Sequence, residues 1–511
     1  MSESHDRQDA GLQSLRRPGS LLERTAKGTF WLVFWRFANR GIGIVSTLIL
    51  VRLLTPADFG VVSIAMNFVT TLHTLGEFGI EGAIIRDDRP DRALYDTGFT
   101  ILLVRGLAVA VFVLLVADPV GRFLGNPHFG AVAMAAAAFS AISAFENIGI
   151  VDFRRFMVFE KEFIFKLVPR LVSFTIGIIL AFILRNFWAL IIAIIASEIV
   201  SVALSYAMHP YRPKPTFAAW HRIASYSTYL WFANLVGIVQ TTASYLLIGR
   251  LLGAGAVGVL GAGGEIAALP GNEVVLPMAR VLFSGFAEIK NSKTDSGSML
   301  LGLIGIVALV TFPAGLGLSL VADPVVRLAF GATWLQAIPV VQIGGVTQGI
   351  ACLATISGTV FGVQGWMKAG FKLSLAVAIP QLVLLVVLMP RFGLIGAVLA
   401  SAVPGTAAAL VRIGVATHRL SIAPRTLVAR IWRSILGSAI MAAVMVEAGL
   451  GWTGSAAPPA ILGARLAESV SVGSAVYVAS ILALWLMSGR PDGPERDVLS
   501  MIRRVWQRRM R

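Results

Sequence analysis

Residues 50–60 read LVRLLTPADFG, and residues 247–258 read LIGRLLGAGAVG. Each ends an apolar run with Arg-Leu-Leu and places a glycine eight positions after the arginine, Arg52 to Gly60 and Arg250 to Gly258. The two strings lie 198 residues apart, and further pairs keep nearly that spacing. VADPVGR, Val116 to Arg122, returns as VADPVVR, Val321 to Arg327, at an offset of 205. Arg185-Asn-Phe-Trp-Ala-Leu returns more loosely as Arg391-Phe-Gly-Leu-Ile-Gly-Ala, at about 206. Anchors at a near-constant offset indicate an internal duplication.

The repeated unit is membrane-like. Of 511 residues, 56% are hydrophobic and 14% charged, against roughly 25% charged in a soluble protein. Apolar runs long enough to span a bilayer recur along the chain. They predict fourteen transmembrane helices: 30–50, 60–80, 97–116, 129–150, 163–184, 187–208, 227–248, 257–283, 299–321, 334–361, 371–389, 394–417, 431–449 and 466–487. The expected fold is an all-α polytopic membrane protein. Two parallel-repeat six-helix bundles, 30–208 and 227–417, surround a central cavity, and two extra C-terminal helices occupy 431–487. An even span count gives both repeats the same orientation, and substrate sites in such proteins tend to lie near mid-membrane.

Net charge is +16, which raises nucleic acid as a partner until the charges are placed. Of the 43 Lys and Arg, the outer connections take Arg52, Arg122, Arg185, Arg250, Arg327, Arg391 and Arg465, and Arg36, Arg40, Arg105, Arg170 and Arg280 fall within spans. The rest lie in or beside the inner connections and tails, with Lys166, Lys372, Arg412 and Arg433 just inside the inner ends of their spans. That asymmetry is the positive-inside pattern. It makes both termini cytoplasmic, and the basic charge becomes a topology signal, with no nucleic acid implied. Residues 1–29 read as a cytoplasmic tail with no signal-peptide core. HPYRPKP, His209 to Pro215, opens a cytoplasmic linker at 209–226, because its prolines cannot continue a helix. The basic tail 488–511 ends in RDVLSMIRRVWQRRMR, either lying on anionic membrane lipids or disordered. The single cysteine, Cys352, excludes a disulfide framework and a cysteine metal site, and no cofactor is expected.

RLLTPADFG is followed, after one span, by Glu77-Phe78-Gly79 and then Ala83-Ile84-Ile85. This stretch resembles the N-terminal signature of Wzx-type polysaccharide flippases, of the multidrug/oligosaccharidyl-lipid/polysaccharide exporter superfamily. The span count and the six-plus-six duplication are similar to that family over almost the whole chain. The resemblance implies a transporter of the bacterial inner membrane. It would move undecaprenyl-diphosphate-linked oligosaccharide units by alternating access, for cell-surface or exo-polysaccharide biosynthesis. It also implies a polysaccharide polymerase and a chain-length regulator as partners. A lipid II flippase and a multidrug/cation antiporter of the same superfamily are the competing readings.

A diphosphate crossing a membrane needs buried cations, and intramembrane charges are functional candidates by default. Arg36 and Arg40 are spaced i, i+4 on the first span with Asn39 beside them, Arg105 lies in the third span, and Arg170 follows Pro169 in the fifth. The planar guanidinium suits phosphate oxygens, so these four are the candidate diphosphate ligands. For Arg105 and Arg170, ion pairing with Glu146 or Glu198 is an equal alternative. In the second half the eighth span carries Glu265, Pro270, Gly271, Glu273, Pro277 and Arg280. Such broken helices free backbone groups for ligands or gating. Glu265, Glu273 and Glu198 are candidates for ion coupling, although Glu273 and Arg280 also suit an internal pair. Asn39, Gln240 and Gln348 are candidates for sugar contacts, with Gln336, Gln342 and Gln364 weaker ones. An enzyme is disfavoured: the longest outer connection, 450–465, contains no Asp, Glu or His, and His73 is the one histidine within a span.

Overall fold

The computed structural model describes residues 21–75, 80–87, 90–223, 228–275, 293–454 and 457–497. All regular elements among them are helical. Among the described residues nine helices are long and apolar enough to cross a membrane, or ten if one bent pair counts as a span. The protein is therefore a polytopic helical membrane protein. Cα packing divides the chain into two compact units, Met1–Trp231 with Gly253–Val257, and Phe232–Leu252 with Gly258–Arg511.

In the first unit the helices are α1 (Leu21–Leu53), α2 (Pro56–Leu75), α3 (Ile80–Arg86), α4 (Arg92–Leu124), α5 (Phe129–Ser143), α6 (Val151–Arg155), α7 (Phe159–Leu184), α8 (Trp188–Met208) and α9 (Trp220–Ile223). α1 packs on α7, α7 on α8, α8 on α5, and α5 on both α4 and α2. α2 has membrane length, but Asp58, Asn67, Thr70, Thr71 and His73 dilute its apolar surface. Between α1 and α2 the opening stretch forms a capping box. Thr55 N and Oγ1 donate to Asp58 Oδ2 at 3.0 and 2.6 Å, and Asp58 N returns a bond to Thr55 Oγ1 at 3.3 Å. Pro56, at the first helical position, has no N–H to leave orphaned. The other Asp58 oxygen accepts from Phe187 N at 3.0 Å and so ties this turn to the one before α8.

The fourth expected span, 129–150, is not one straight helix. α5 stops at Ser143, a 3-10 turn covers Ile148–Ile150, and the segment Ile148–Arg155 leaves at 69°. No proline or glycine announces the break at 144–147. Asn147 makes it: its side chain accepts from Gly149 N at 2.9 Å and donates to Tyr211 O at 2.7 Å, while its own N–H donates to Ser205 Oγ. Local side-chain bonds of this kind replace the helical ladder.

The second unit contains most of α10 (Thr228–Leu252) and of α11 (Ala254–Ala267), whose first residues belong to the first unit, then a π-helical turn at Gly271–Val275, α12 (Lys293–Leu320), α13 (Ala322–Ala329), α14 (Ala337–Val363), α15 (Met367–Arg419), α16 (Pro424–Glu447) and α17 (Pro459–Met487). α12 packs between α14 and α16 over Leu300, Ile304, Val307, Leu353, Ile356 and Val360. Backbones meet where side chains are absent: a Cβ on Gly315 would lie 2.3 Å from the Gly345 carbonyl oxygen. Small residues permit such approach where lipid supplies no hydrophobic drive between helices. The eleventh and twelfth expected spans join as α15, whose 53 residues would reach about 80 Å if straight. Gly393, at φ 54° and ψ −131°, breaks it between the two expected spans.

The C-terminal pair α16 and α17 packs against α12 and α13 through Met441, Met445, Tyr477 and Ile481, with Tyr477 Oη donating to Leu309 O at 2.7 Å. The chain after it does not leave as a free basic arm. Arg433 on α16 grips Glu495 with two bonds, 2.7 and 2.9 Å, both side chains 4% exposed. Of the stretch Arg496 to Arg511, expected either to lie on anionic lipid or to be disordered, residues 498–511 lie outside the described residues.

Candidate functional site

Polar chemistry in the first unit gathers in three places. The first is the α1–α7 pair. Phe163 of α7 seats against Trp31, Phe34 and Trp35 of α1, with ring centroids 4.9, 5.3 and 6.3 Å away. Two turns further along α7, Arg170 carries its guanidinium back onto α1: a Cβ on Gly43 would sit 3.2 Å from Arg170 Nη2. At 100° per residue, Arg36, Arg40 and Gly43 fall within about 60° of one another around α1. Three of the four candidate arginines, Arg36, Arg40 and Arg170, thus converge on one helical face. Arg170 is exposed, Arg36 and Arg40 are half-buried, and Arg40 Nε is shielded from solvent. Asn39, half-buried, lies next to Arg40 on α1.

Arg105 belongs to a second place. Its electrostatic neighbour is His73 of α2, whose Nε2 lies 2.8 Å from Ser140 Oγ of α5. Ser140 donates its own proton to Gly106 O at 2.9 Å, so the Ser140–His73 bond requires Nε2 of the imidazole to carry hydrogen. Gly106 permits the contact, since a Cβ there would lie 2.5 Å from Ala144 Cβ. The sequence offered His73 only as a solitary histidine; its partners come from two other helices.

The third place surrounds the bend at 144–147. Glu146 Oε2 accepts from Ser201 Oγ at 3.3 Å, and its carboxylate acts electrostatically on Glu198, one turn before Ser201 on α8. Arg154 bonds Glu81 and also donates from Nε to Glu162 at 2.8 Å, where Lys166 joins at 2.6 Å. The cation that acts on Glu146 is this Arg154. Glu198 is thus placed beside a second carboxylate, which the spacing of the sequence did not reveal.

Around the ends of these elements the linker is strapped down. Tyr211 Oη bonds Asp96, Lys214 N donates to Asp96 Oδ1 at 2.7 Å, Thr216 N to Thr100 Oγ1 at 2.7 Å, and Ala219 N to Thr97 Oγ1 at 3.0 Å. Tyr95 Oη donates to Asp152 at 2.5 Å. His209 Nδ1 accepts from Tyr211 N at 3.2 Å, which turns Nε2 toward Asp152 Oδ2 at 3.4 Å. Burial, with the Asp96 carboxylate beside it, holds the Tyr211 hydroxyl above its usual range, so it stays a donor.

The candidates of the second unit do not assemble in the same way. Glu265 is exposed on α11, and the Glu273 side chain and Arg280 lie outside the described residues. The π turn at Gly271–Val275 matches the helix disruption expected from Pro270 and Gly271. Gln348 lies against that turn: a Cβ on Gly271 would be 2.2 Å from its Nε2, so its amide is used in packing. Gln240 donates to Gln381 Oε1 at 2.5 Å, and Gln381 is a partner that the sequence did not single out.

A family model described as polysaccharide biosynthesis protein matches residues 49–339. Among curated proteins, the chain is 28% identical over 341 residues to the lipopolysaccharide biosynthesis protein WzxC of Escherichia coli (strain K12), covering 63% of this chain and 67% of that protein. It is 23% identical over 322 residues to the succinoglycan biosynthesis transport protein ExoT of Rhizobium meliloti (strain 1021), covering 63% of this chain and 65% of that one. The chain thus spans about two thirds of the length of these relatives. Among solved structures, the lipid II flippase MurJ in an inward closed conformation superposes with a TM-score of 0.71 at 13% identity, over 90% of this chain and all of that one. An inward-facing multidrug resistance MATE family transporter gives 0.62 at 15%, over 74% and 94%. At these identities the structural likeness speaks for the fold.

Proposed function

The chain belongs to the polysaccharide biosynthesis protein family, and from that premise we propose that it flips undecaprenyl-diphosphate-linked oligosaccharides across the bacterial inner membrane for surface or exo-polysaccharide assembly. The observation that carries this reading is the convergence of Arg36, Arg40 and Arg170 on one face of α1. Guanidiniums within a membrane-spanning helix pair are functional candidates by default, and a visiting anion suits three of them on one face. Each offers a planar fork of N–H donors that matches phosphate oxygens in pairs. Arg105, held with His73 and Ser140, is a further donor on the same unit.

The carrier's prenyl tail stays in lipid while its diphosphate passes from donor to donor, so the charge is never surrendered to hydrocarbon. Transport proceeds by alternating access between two six-helix bundles within a fourteen-span topology whose termini are cytoplasmic. Glu198 beside Glu146, with Glu265 in the second unit, supplies carboxylates for ion coupling. A polysaccharide polymerase and a chain-length regulator act on the flipped product. The test is Arg40→Ala in cells that depend on this chain for their glycan. Export is expected to stop, with lipid-linked precursor accumulating on the inner leaflet and protein level unchanged. Export at the normal rate would remove Arg40 from the path.

A further inference from the structure

Gln240 of α10 and Gln381 of α15 are the centre of a polar quartet in the second unit. Gln240 Nε2 donates to Gln381 Oε1 at 2.5 Å. Gln381 Nε2 donates to Ser244 Oγ and to Ser401 Oγ, each at 3.3 Å. The serine protons go elsewhere, Ser244 to Gln240 O at 2.7 Å and Ser401 to Ala397 O at 3.4 Å. Counting valences, Gln381 has used both donors and one acceptor position. Gln240 retains one side-chain N–H and both lone pairs of Oε1, which make no hydrogen bond among the described residues. The network thus fixes the Gln240 amide and leaves one donor and one acceptor of it side by side.

Two further observations say what lies in front of that amide. Ser401 is exposed, so the quartet is not sealed between helices. A Cβ on Gly237 would meet no heavy atom within 4 Å. Gly237 shares a face of α10 with Gln240, Ser244 and Ile248, at positions i, i+3, i+7 and i+11. Ser244 and Ile248 are buried at 6% and 7%. The open space at Gly237 lies on the same face of α10 as these two buried residues. Hydrocarbon is a poor occupant for a space lined by an amide with spare hydrogen-bonding capacity.

We infer that the Gln240 amide, oriented by Gln381, Ser244 and Ser401 beside the space at Gly237, is a saccharide subsite. It binds a vicinal diol of the sugar on the lipid-linked substrate. A vicinal diol presents one hydroxyl as acceptor and its neighbour as donor, which an amide matches in a single plane. The subsite is uncharged, so it selects sugar and ignores the diphosphate. This rests on the transport reading above and adds to it a division of labour between units.

The test uses the full-length protein in nanodiscs and two probes, undecaprenyl diphosphate and the same carrier bearing one hexose. Wild-type protein is expected to bind the hexosyl carrier about tenfold more tightly, the yield of two neutral hydrogen bonds. Gln240→Leu is expected to erase that gain. Gly237→Leu is expected to erase it as well, by filling the space without touching any hydrogen bond, so the test survives if Gln240→Leu fails to fold. Persistence of the tenfold gain in either folded variant overturns the subsite. Equal binding of both probes by wild-type protein also overturns it while leaving diphosphate transport standing. Binding of neither probe overturns the transport reading itself.

Discussion

RLLTPADFG and RLLGAGAVG each end one helix and turn the chain into the next, and they hold the turn by different means. In the first unit Thr55 and Asp58 cap α2, and Asp58 reaches on to Phe187. In RLLGAGAVG Gly253 takes φ +84°, a conformation that asks for no side-chain bond. The same divergence runs through VADPVGR, which lies inside continuous α4, and VADPVVR, where the helix breaks at Val321 and Arg327 grips Asp323 at 2.9 Å. Inside the units the contrast is chemical. The first gathers Arg36, Arg40 and Arg170 on one face, while the second sets out the Gln240 and Gln381 amides, packs Arg412 against Gly358 and holds a buried ion pair, Arg433 with Glu495, at its C-terminal edge. The paired strings share a spacing in the sequence and differ in the residues that hold them in place.

The largest effect should come from the arginines. Arg40→Ala combined with Arg170→Ala is expected to lower glycan export by roughly a hundredfold or more with an unchanged thermal midpoint, read as surface polysaccharide against purified-protein melting. A fall in the midpoint instead would make these residues struts. The opposite split is expected for Arg433→Leu. Leaving Glu495 buried without its partner costs about 3–5 kcal/mol of stability in detergent unfolding, with transport per folded molecule preserved. Asp58→Ala should cost about 1–2 kcal/mol, because it removes a cap and a tie to Phe187 at once. Gly253→Ala should cost about 1 kcal/mol, by strain alone. Equal losses for the last two, with no sensitivity of the second turn to backbone strain, would erase the distinction between the two solutions.

How much of this was legible follows from the same contrast. Helical spans, the proline-rich linker and the disruption near Gly271 are written in hydropathy and in residues with restricted backbones, so their places were readable. Gly393 falls between two expected spans for the same reason. The bend after Ser143 was not readable, because Asn147 makes it through partners at Ser205 and Tyr211, far away in sequence. The site shows the same limit. Arg36 and Arg40 announce a shared face by spacing, but Arg170 meeting Gly43, His73 meeting Ser140, and Gln381 meeting Gln240 are tertiary facts. Asp96, Thr97 and Thr100 read as ordinary residues at the start of a span, yet they bind the linker.

That binding has a consequence for how the molecule is made. Every partner of the strap, from Tyr95 to Ala219, is synthesised before α10 begins, so nothing in it waits for the second unit. The first unit can fasten itself while the ribosome is still translating the rest. A chain extended far enough beyond Ile223 to clear the ribosome should already bury the strap, read as protection of a cysteine introduced at Ala219, which takes part through its backbone N–H, from a water-soluble thiol reagent.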